Sequence, residues 1–208
     1  SSESGHTVYC TKCFWSDKWD AKKYGRNFDF SRSFFDQFAE LFHETPVVSH
    51  VIGNAENSDY TNFSLANKNS YMITASDYNE DSYYSAYLFT CRNAVDCLFT
   101  SDSEKVYQLV DCKKCYNSIF LQHCHTCRDS LFCFNCRGLD NCIGCVNLHN
   151  KKFHIFNEPY TAEEYFKKKA EFYLTEENIE KLHGEMMKFK LQFPHKYAEI
   201  ENSADCTG

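Results

Sequence analysis

The sequence predicts a mainly β chain, a single-chain β-solenoid or β-helix with coils of about 18 residues (12–15 also fit), with an N-terminal capping helix and C-terminal α-helices. Three observations carry that expectation. From Ser58 to Leu148 every third residue is Ser, Thr, Ala or Cys in 22 of 31 places, and the other nine are Leu, Ile, Val or Asn. None of these positions is charged or aromatic, although aromatic residues make up 17% of the chain and charged residues 25%. All ten cysteines from Cys91 to Cys145 fall on the same beat.

An α-helix cannot hold a strict period of three, because the marked face rotates around it, and a flat strand has period two. Short extended segments that turn at fixed intervals can hold it, with a small side chain directed inward at each step. A six-residue beat is superimposed. Asn57, Asn69, Asp81, Asn93, Asp111, Asn117, Asp129, Asn135, Asn141 and Asn147 all lead such units. Asn and Asp suit corners because they accept left-handed backbone and bond their own main chain. Eighteen-residue stacking aligns Ser70, Leu88, Val106, Cys124 and Cys142 in one column, and Ile73, Cys91, Leu109, Cys127 and Cys145 in another.

Outside the repeat, Ser31 is placed to cap a helix with the stripe Phe34, Phe35, Phe38, Leu41 and Phe42. Thr161 and Glu164 form a capping box that opens a helix through about Tyr173. A second helix begins near Thr175, carries Ile179, Leu182, Met186 and Phe189 on one face, and ends before Pro194. The reading is therefore a zinc-knuckle-like segment over 1–30, a capping helix and linker over 31–56, and the solenoid over 57–157. C-terminal helices over 158–195 and a disordered tail over 196–208 complete it. The helices are expected to cover the open strand edges at the ends of the rod.

The formal net charge of -7 weighs against a dedicated nucleic-acid binder. No apolar run approaches the ~20 residues of a membrane helix. The spacings Cys124, Cys127, Cys142, Cys145 and Cys112, Cys115, Cys133, Cys136 resemble tetrahedral zinc sets. The beat itself produces paired CxxC spacings, however, and Val106 and Leu109 stand in the same columns as Cys124 and Cys127. The sequence thus leaves open core packing, a zinc or iron–sulfur site at Cys124, Cys127, Cys142 and Cys145, and disulfides. Cys10 and Cys13 lie outside the repeat and read as half of a zinc knuckle, with His6 and Cys206 as possible partners.

The run Cys10-Thr11-Lys12-Cys13-Phe14-Trp15-Ser16-Asp17-Lys18-Trp19-Asp20, the run Asp29-Phe30-Ser31-Arg32 and the run Glu56 to Asn62 resemble uncharacterised cysteine-rich, zinc-binding repeat proteins of candidate-phylum bacteria and large DNA viruses. Asn147 to Asn157, with Tyr160, Glu164 and Tyr165, resembles the end of that family's repeat. The resemblance implies zinc, with a further cysteine-bearing segment ahead of the counterpart of Cys10. This chain has no cysteine before Cys10, which reads as a fragment or an incomplete site. The resemblance supplies no established activity.

The function expected is a non-catalytic structural or interaction module, zinc-binding at its N-terminus, with a protein partner or self-assembly and without membrane insertion. A minor virion or assembly component fits that description. Exposed ladders of Tyr78, Tyr83, Tyr84, Tyr87, Phe89, Phe120 and Phe132 would supply a recognition surface or a packing face. One alternative is an enzyme or metal-cluster protein using the repeat cysteines, with His123, His125, His149 and His154 nearby in sequence. No phosphate loop, nucleophile elbow or HExxH pair accompanies them. The other is an acidic solenoid that mimics nucleic acid. Location is expected to be intracellular or in a virion, and secreted only with disulfide-bonded cysteines.

Overall fold

Residues twelve apart in sequence lie side by side in parallel: Asn62 with Thr74, Thr74 with Ala86, Ala86 with Leu98, Glu104 with Tyr116, and Asp140 with Lys152. In a computed structural model, which describes residues 5–171 and 175–197, the chain winds into a β-solenoid of about nine turns. At ~4.8 Å per coil the rod is roughly 43 Å long. Each coil has four edges of three residues. The twelve-residue coil is the lower end of the 12–15 range that the beat admitted, and it replaces the eighteen-residue stacking. Eighteen residues are six beats, or one and a half coils, so that alignment superimposes inward positions from opposite edges. The true columns include Ser58, Ser70, Ser82, Ala94, Val106, Ser118, Ser130, Cys142 and, on another edge, Ser64, Ser76, Leu88, Thr100, Cys112, Cys124, Cys136, Leu148.

Every beat position from Thr61 to Cys145 is buried. The residue before each is left-handed almost throughout: Asn69 at φ 49°, Asp81 at 51°, and also Tyr84 at 51° and Lys105 at 55°. Asn and Asp therefore occupy the kind of position expected of them, but the conformation recurs at every step, including under aromatic and charged side chains. Left-handed backbone costs a non-glycine residue roughly 1–3 kcal/mol. Inter-coil hydrogen bonds offset it. Asn69 N–H donates to Glu56 O at 3.0 Å, Tyr84 N–H to Tyr71 O at 3.1 Å, and Tyr71 N–H to Ser82 O at 3.1 Å. Glycine takes two of these steps, Gly138 and Gly144. A Cβ at Gly138 would strike the Asn150 side chain, and one at Gly144 would sit 2.8 Å from the Phe156 ring.

The inward side chains complete the lattice. Ser76 Oγ donates to Thr74 O at 2.7 Å and accepts the Leu88 N–H at 3.0 Å. Ser85 Oγ accepts the Cys97 N–H, and Ser103 Oγ the Cys115 N–H, each at 3.0 Å. Cysteine takes the same place. Cys112 Sγ donates to Val110 O at 3.2 Å and to Leu121 O at 3.5 Å, and Cys136 Sγ to Phe134 O and Cys145 O. Asn67 and Asn79 stack within the interior, Asn79 N–H and Nδ2 both donating to Asn67 Oδ1 while Asn79 Oδ1 accepts the Cys91 N–H. The first coils are thus lined mainly by Ser, Thr and Asn. From Leu88 onward the lining is largely aliphatic and thiol.

At the N-terminal end, strands β1 (Val8–Tyr9) and β2 (Val47–Val48) pair in parallel, and a single helical turn, α1 (Thr11–Phe14), follows β1. Helix α2 (Phe34–Glu44) begins after Ser33, not Ser31, whose N–H and hydroxyl instead bond Asp29 Oδ1. Arg26 and Arg32 pair with Glu40, and Arg26 also with Glu44. At the other end, helix α3 (Ala162–Lys169) has the expected Thr161–Glu164 capping box but is shorter than expected. Helix α4 (Glu176–Lys190) starts after Thr175. The tail over 198–208 and Tyr173 lie outside the described residues.

These C-terminal helices do more than cover an end. Tyr165 of α3, and Leu182 and Met186 of α4, pack against Leu131, Phe132, Phe134, Ile143, Val146 and Ile155 on the flank of the last coils. Lys190 Nζ reaches Gln122 Oε1 at 3.2 Å and sits 3.9 Å from the centroid of Phe134.

Replacing Asn79 by Leu keeps the branched shape, adds bulk, and leaves the Cys91 N–H and Leu88 O without their side-chain partner. Each orphaned buried group costs about 1–3 kcal/mol. Urea denaturation is expected to show a loss of at least about 2 kcal/mol, against a change within about 0.5 kcal/mol for the exposed Lys68→Ala.

Candidate functional site

Cys10 caps α1, its Sγ accepting the Cys13 N–H at 3.4 Å, and both thiols are exposed. That hydrogen bond holds the Cys10 thiol below its ordinary value, and the shared proton pushes Cys13 up. His6, the other expected partner, stacks on His43 with ring centroids 4.6 Å apart. Cys206 lies outside the described residues. Among the described residues no group of three or more His, Cys, Asp or Glu is arranged to hold a metal ion. The N-terminus therefore offers two sulfurs of a tetrahedral set.

The ten repeat cysteines are buried, each with a free sulfur. Cys124 and Cys127 occupy successive edges of one coil, and Cys142 and Cys145 follow more than a coil later. The CxxC pairs Cys112–Cys115, Cys124–Cys127, Cys133–Cys136 and Cys142–Cys145 lie on adjacent edges, and Cys142 and Cys145 stand one and a half coils beyond Cys124 and Cys127. Burial pushes Cys91 and Cys124 up and Cys97 to about 12. Every one of these sulfurs donates to backbone carbonyls, as serine does.

The histidines face away from the thiols. His123 Nδ1 lies 3.3 Å from Asp111, and its ring meets Phe134 edge-on, while His154 Nδ1 is 2.7 Å from Lys152 O. Cys124 points inward between His123 and His125, so the arrangement gives no Cys–His nucleophile. An outer column alternates in charge, with Lys68 on Glu56, Arg92 on Glu80 and Lys152 on Asp140. Such exposed pairs add little stability, but sign alternation at the coil repeat matches each coil to the next.

The largest exposed chemistry is aromatic. One strip carries Tyr60, Tyr71, Met72, Tyr83, Tyr84 and Leu98, with Tyr71 edge-on to both Tyr60 and Tyr84. A second carries Phe63, Tyr78 against Phe89, and Tyr87 stacked on Phe99 at 4.5 Å. Of the ladder expected from sequence, Tyr78, Tyr83, Tyr84, Tyr87 and Phe89 are at least a third exposed, whereas Phe132 is buried under α4. Tyr60, Phe63 and Phe99 are exposed as well and Tyr71 is half-buried, and the twelve-residue spacings Tyr60–Met72–Tyr84, Tyr71–Tyr83 and Tyr87–Phe99 mark the columns once the coil length is known.

The first strip continues the flank that α3 and α4 cover. Its columns run Tyr71, Tyr83, Val95, Tyr107, Ile119, Leu131, Ile143 and Tyr60, Met72, Tyr84, Asp96, Gln108, Phe120, Phe132. Where the cover ends, a hollow of about 220 Å³ opens between Asp96, Gln108, Phe120, Phe132 and Met186. A shallower one beside it is lined by Met72, Tyr84, Asp96 and Leu98.

The class this geometry defines is a β-solenoid of twelve-residue, four-edged coils with a serine and cysteine interior. No family model matches the chain, and no curated protein matches its sequence. Among the described residues no helix is long and apolar enough to cross a membrane.

The raised core thiols set a sign for alkaline stability. A group whose folded value lies above its unfolded value contributes fully below about pH 9, and the contribution is lost as pH rises through the folded value. For Cys97, pushed up to about 12, the loss runs between about pH 9 and 12, at about 1.4 kcal/mol per pH unit. Urea melts at rising pH are expected to show this decline, and Cys97→Ser to reduce its slope by that amount.

Proposed function

We propose that the chain is a non-catalytic interaction module, a rigid rod that presents an aromatic surface to a protein partner or assembly. The supporting observation is the first strip: tyrosine and methionine side chains stay exposed on a flank that elsewhere receives amphipathic helices. Aromatic and methionine side chains are the types enriched at protein interfaces. The inward, carbonyl-bonded thiols and outward histidines give catalysis no comparable support.

Affinity capture from the source cells tests this reading. The triple variant Tyr71→Ser, Tyr84→Ser, Leu98→Ser is expected to lose a partner that the charged-column variant Lys68→Ala, Arg92→Ala retains. Identical capture by both variants rejects the reading.

A zinc role at Cys10 and Cys13 is a second reading, favoured by the N–H···S bond and the lowered Cys10 thiol. The remaining ligands would come from outside the described residues. Elemental analysis is expected to give about one zinc per chain or per pair of chains, and Cys13→Ser to abolish it with the solenoid still folded. Zinc retained in Cys13→Ser moves the metal to the repeat cysteines.

A further inference from the structure

We infer that the occupant of the aromatic strip is helix α2 of a second copy of this chain, the two copies exchanging helices reciprocally. The inference rests on the reading of the strip as a docking surface, and it adds the partner. The chain carries two apolar surfaces left largely open to water. One is the strip. The other is the stripe of α2, where Phe34, Phe35, Phe38 and Phe42 are 57%, 77%, 54% and 52% exposed.

The structure already shows what this flank accepts. Over the last coils it takes α4, through Leu182 and Met186 with Ile179 and Phe189 beside them. The α2 stripe of Phe34, Phe38, Leu41 and Phe42 has the same one-sided helical spacing. Lengths also agree. Eleven helical residues span about 16 Å, and the three coil steps from Tyr60 to Asp96 span about 14 Å. A helix laid along the strip ends at the hollow beside Met186, where α4 begins to cover the flank.

Within its own chain α2 is held to the segment before it. Arg26 and Arg32 grip Glu40 and Glu44, and Gln37 bonds Asp29 and the carbonyls of Arg32 and Ser33. Those bonds occupy the polar side of the helix and leave the phenylalanines facing outward. Reciprocal exchange gives a closed two-fold dimer in which each copy supplies one helix and one strip. With about 200 Å² per aromatic side chain, about half of it exposed, four rings on each helix and each strip offer about 400 Å² per surface, and the two helices with the two strips bury roughly 1,600 Å², the size of a stable interface.

Sedimentation analysis of the full chain tests this with two variants, Phe38→Asp on the helix and Tyr84→Asp on the strip. Both residues are exposed, so each variant is expected to stay folded with the far-ultraviolet circular dichroism of the parent, its melting temperature lowered only by the lost ring contacts and the lost dimer linkage. The parent chain is expected to be a dimer at micromolar concentration, and each variant alone a monomer. An equimolar mixture of the variants retains one intact pairing, the strip of the Phe38→Asp chain with the helix of the Tyr84→Asp chain. It is expected to re-form a dimer at least tenfold weaker than the parent.

A parent chain that stays monomeric overturns the second copy as occupant. If the strip variant then still loses a captured partner, the docking surface survives and only its occupant is wrong. A dimer broken by Phe38→Asp but not by Tyr84→Asp, or two variants that fail to complement, also overturns the helix-on-strip pairing.

Discussion

A left-handed residue at every third position is the constraint on which the structure depends. It turns the chain after each short edge, and it sets the inward side chain that follows. Isolated, such steps are unfavourable for residues with a Cβ. Repeated in register, they direct backbone N–H and C=O groups along the rod, where the coil before and the coil after supply partners. Asn69 with Glu56, and Tyr84 with Tyr71, are two instances of one bond repeated along the solenoid. The fold is cooperative for that reason, since a single coil would bear the strain without the bonds.

The same geometry explains the interior composition. An inward side chain two atoms long reaches both the carbonyl two residues before it and the neighbouring coil. Serine does so with oxygen, and cysteine with sulfur. Ser130 Oγ donates to Arg128 O and accepts the Cys142 N–H, while Cys124 Sγ donates to Gln122 O and Cys133 O. Cysteine adds apolar bulk that serine lacks, and it becomes frequent where the interior turns aliphatic. The CxxC spacing is accordingly a product of edges three residues long.

Much of this was legible in sequence. The inward register from Thr61 to Cys145, the special role of Asn and Asp, and the α3 capping box are local properties, and local chemistry marks them. Coil length was not legible, because any multiple of three keeps inward residues in phase with inward residues. The columns that separate twelve from eighteen are outward ones, such as Glu56, Lys68, Glu80 and Arg92, where charges alternate from coil to coil. The left-handed state of Tyr60, Phe63 and Lys105 was also hidden, since their intrinsic preferences point away from it and only the lattice imposes it. At the candidate site Cys10 and Cys13 could be picked out because they lie ahead of the repeat. The strip could not, because Tyr60, Tyr71 and Tyr84 become neighbours only when the coil closes at twelve.

The two ends of the rod are stabilised by different means, and the difference bears on the exposed rings. The last coils have an aliphatic and thiol interior and helices on their flank, so their outer phenylalanines are buried. The first coils have a hydroxyl and amide interior that contributes little apolar burial. Their outer tyrosines gain from contact with one another, Tyr71 touching Tyr60 and Tyr84, at about 0.5–1.5 kcal/mol per pair. Ring contacts alone do not account for a flank left open to water. A side chain needed only for such contacts could be flanked by polar residues, whereas Met72 and Leu98 extend the apolar surface between the rings. A surface that continues a helix-covered flank, in coils with a weak apolar core, gains more from being covered than any other part of the rod.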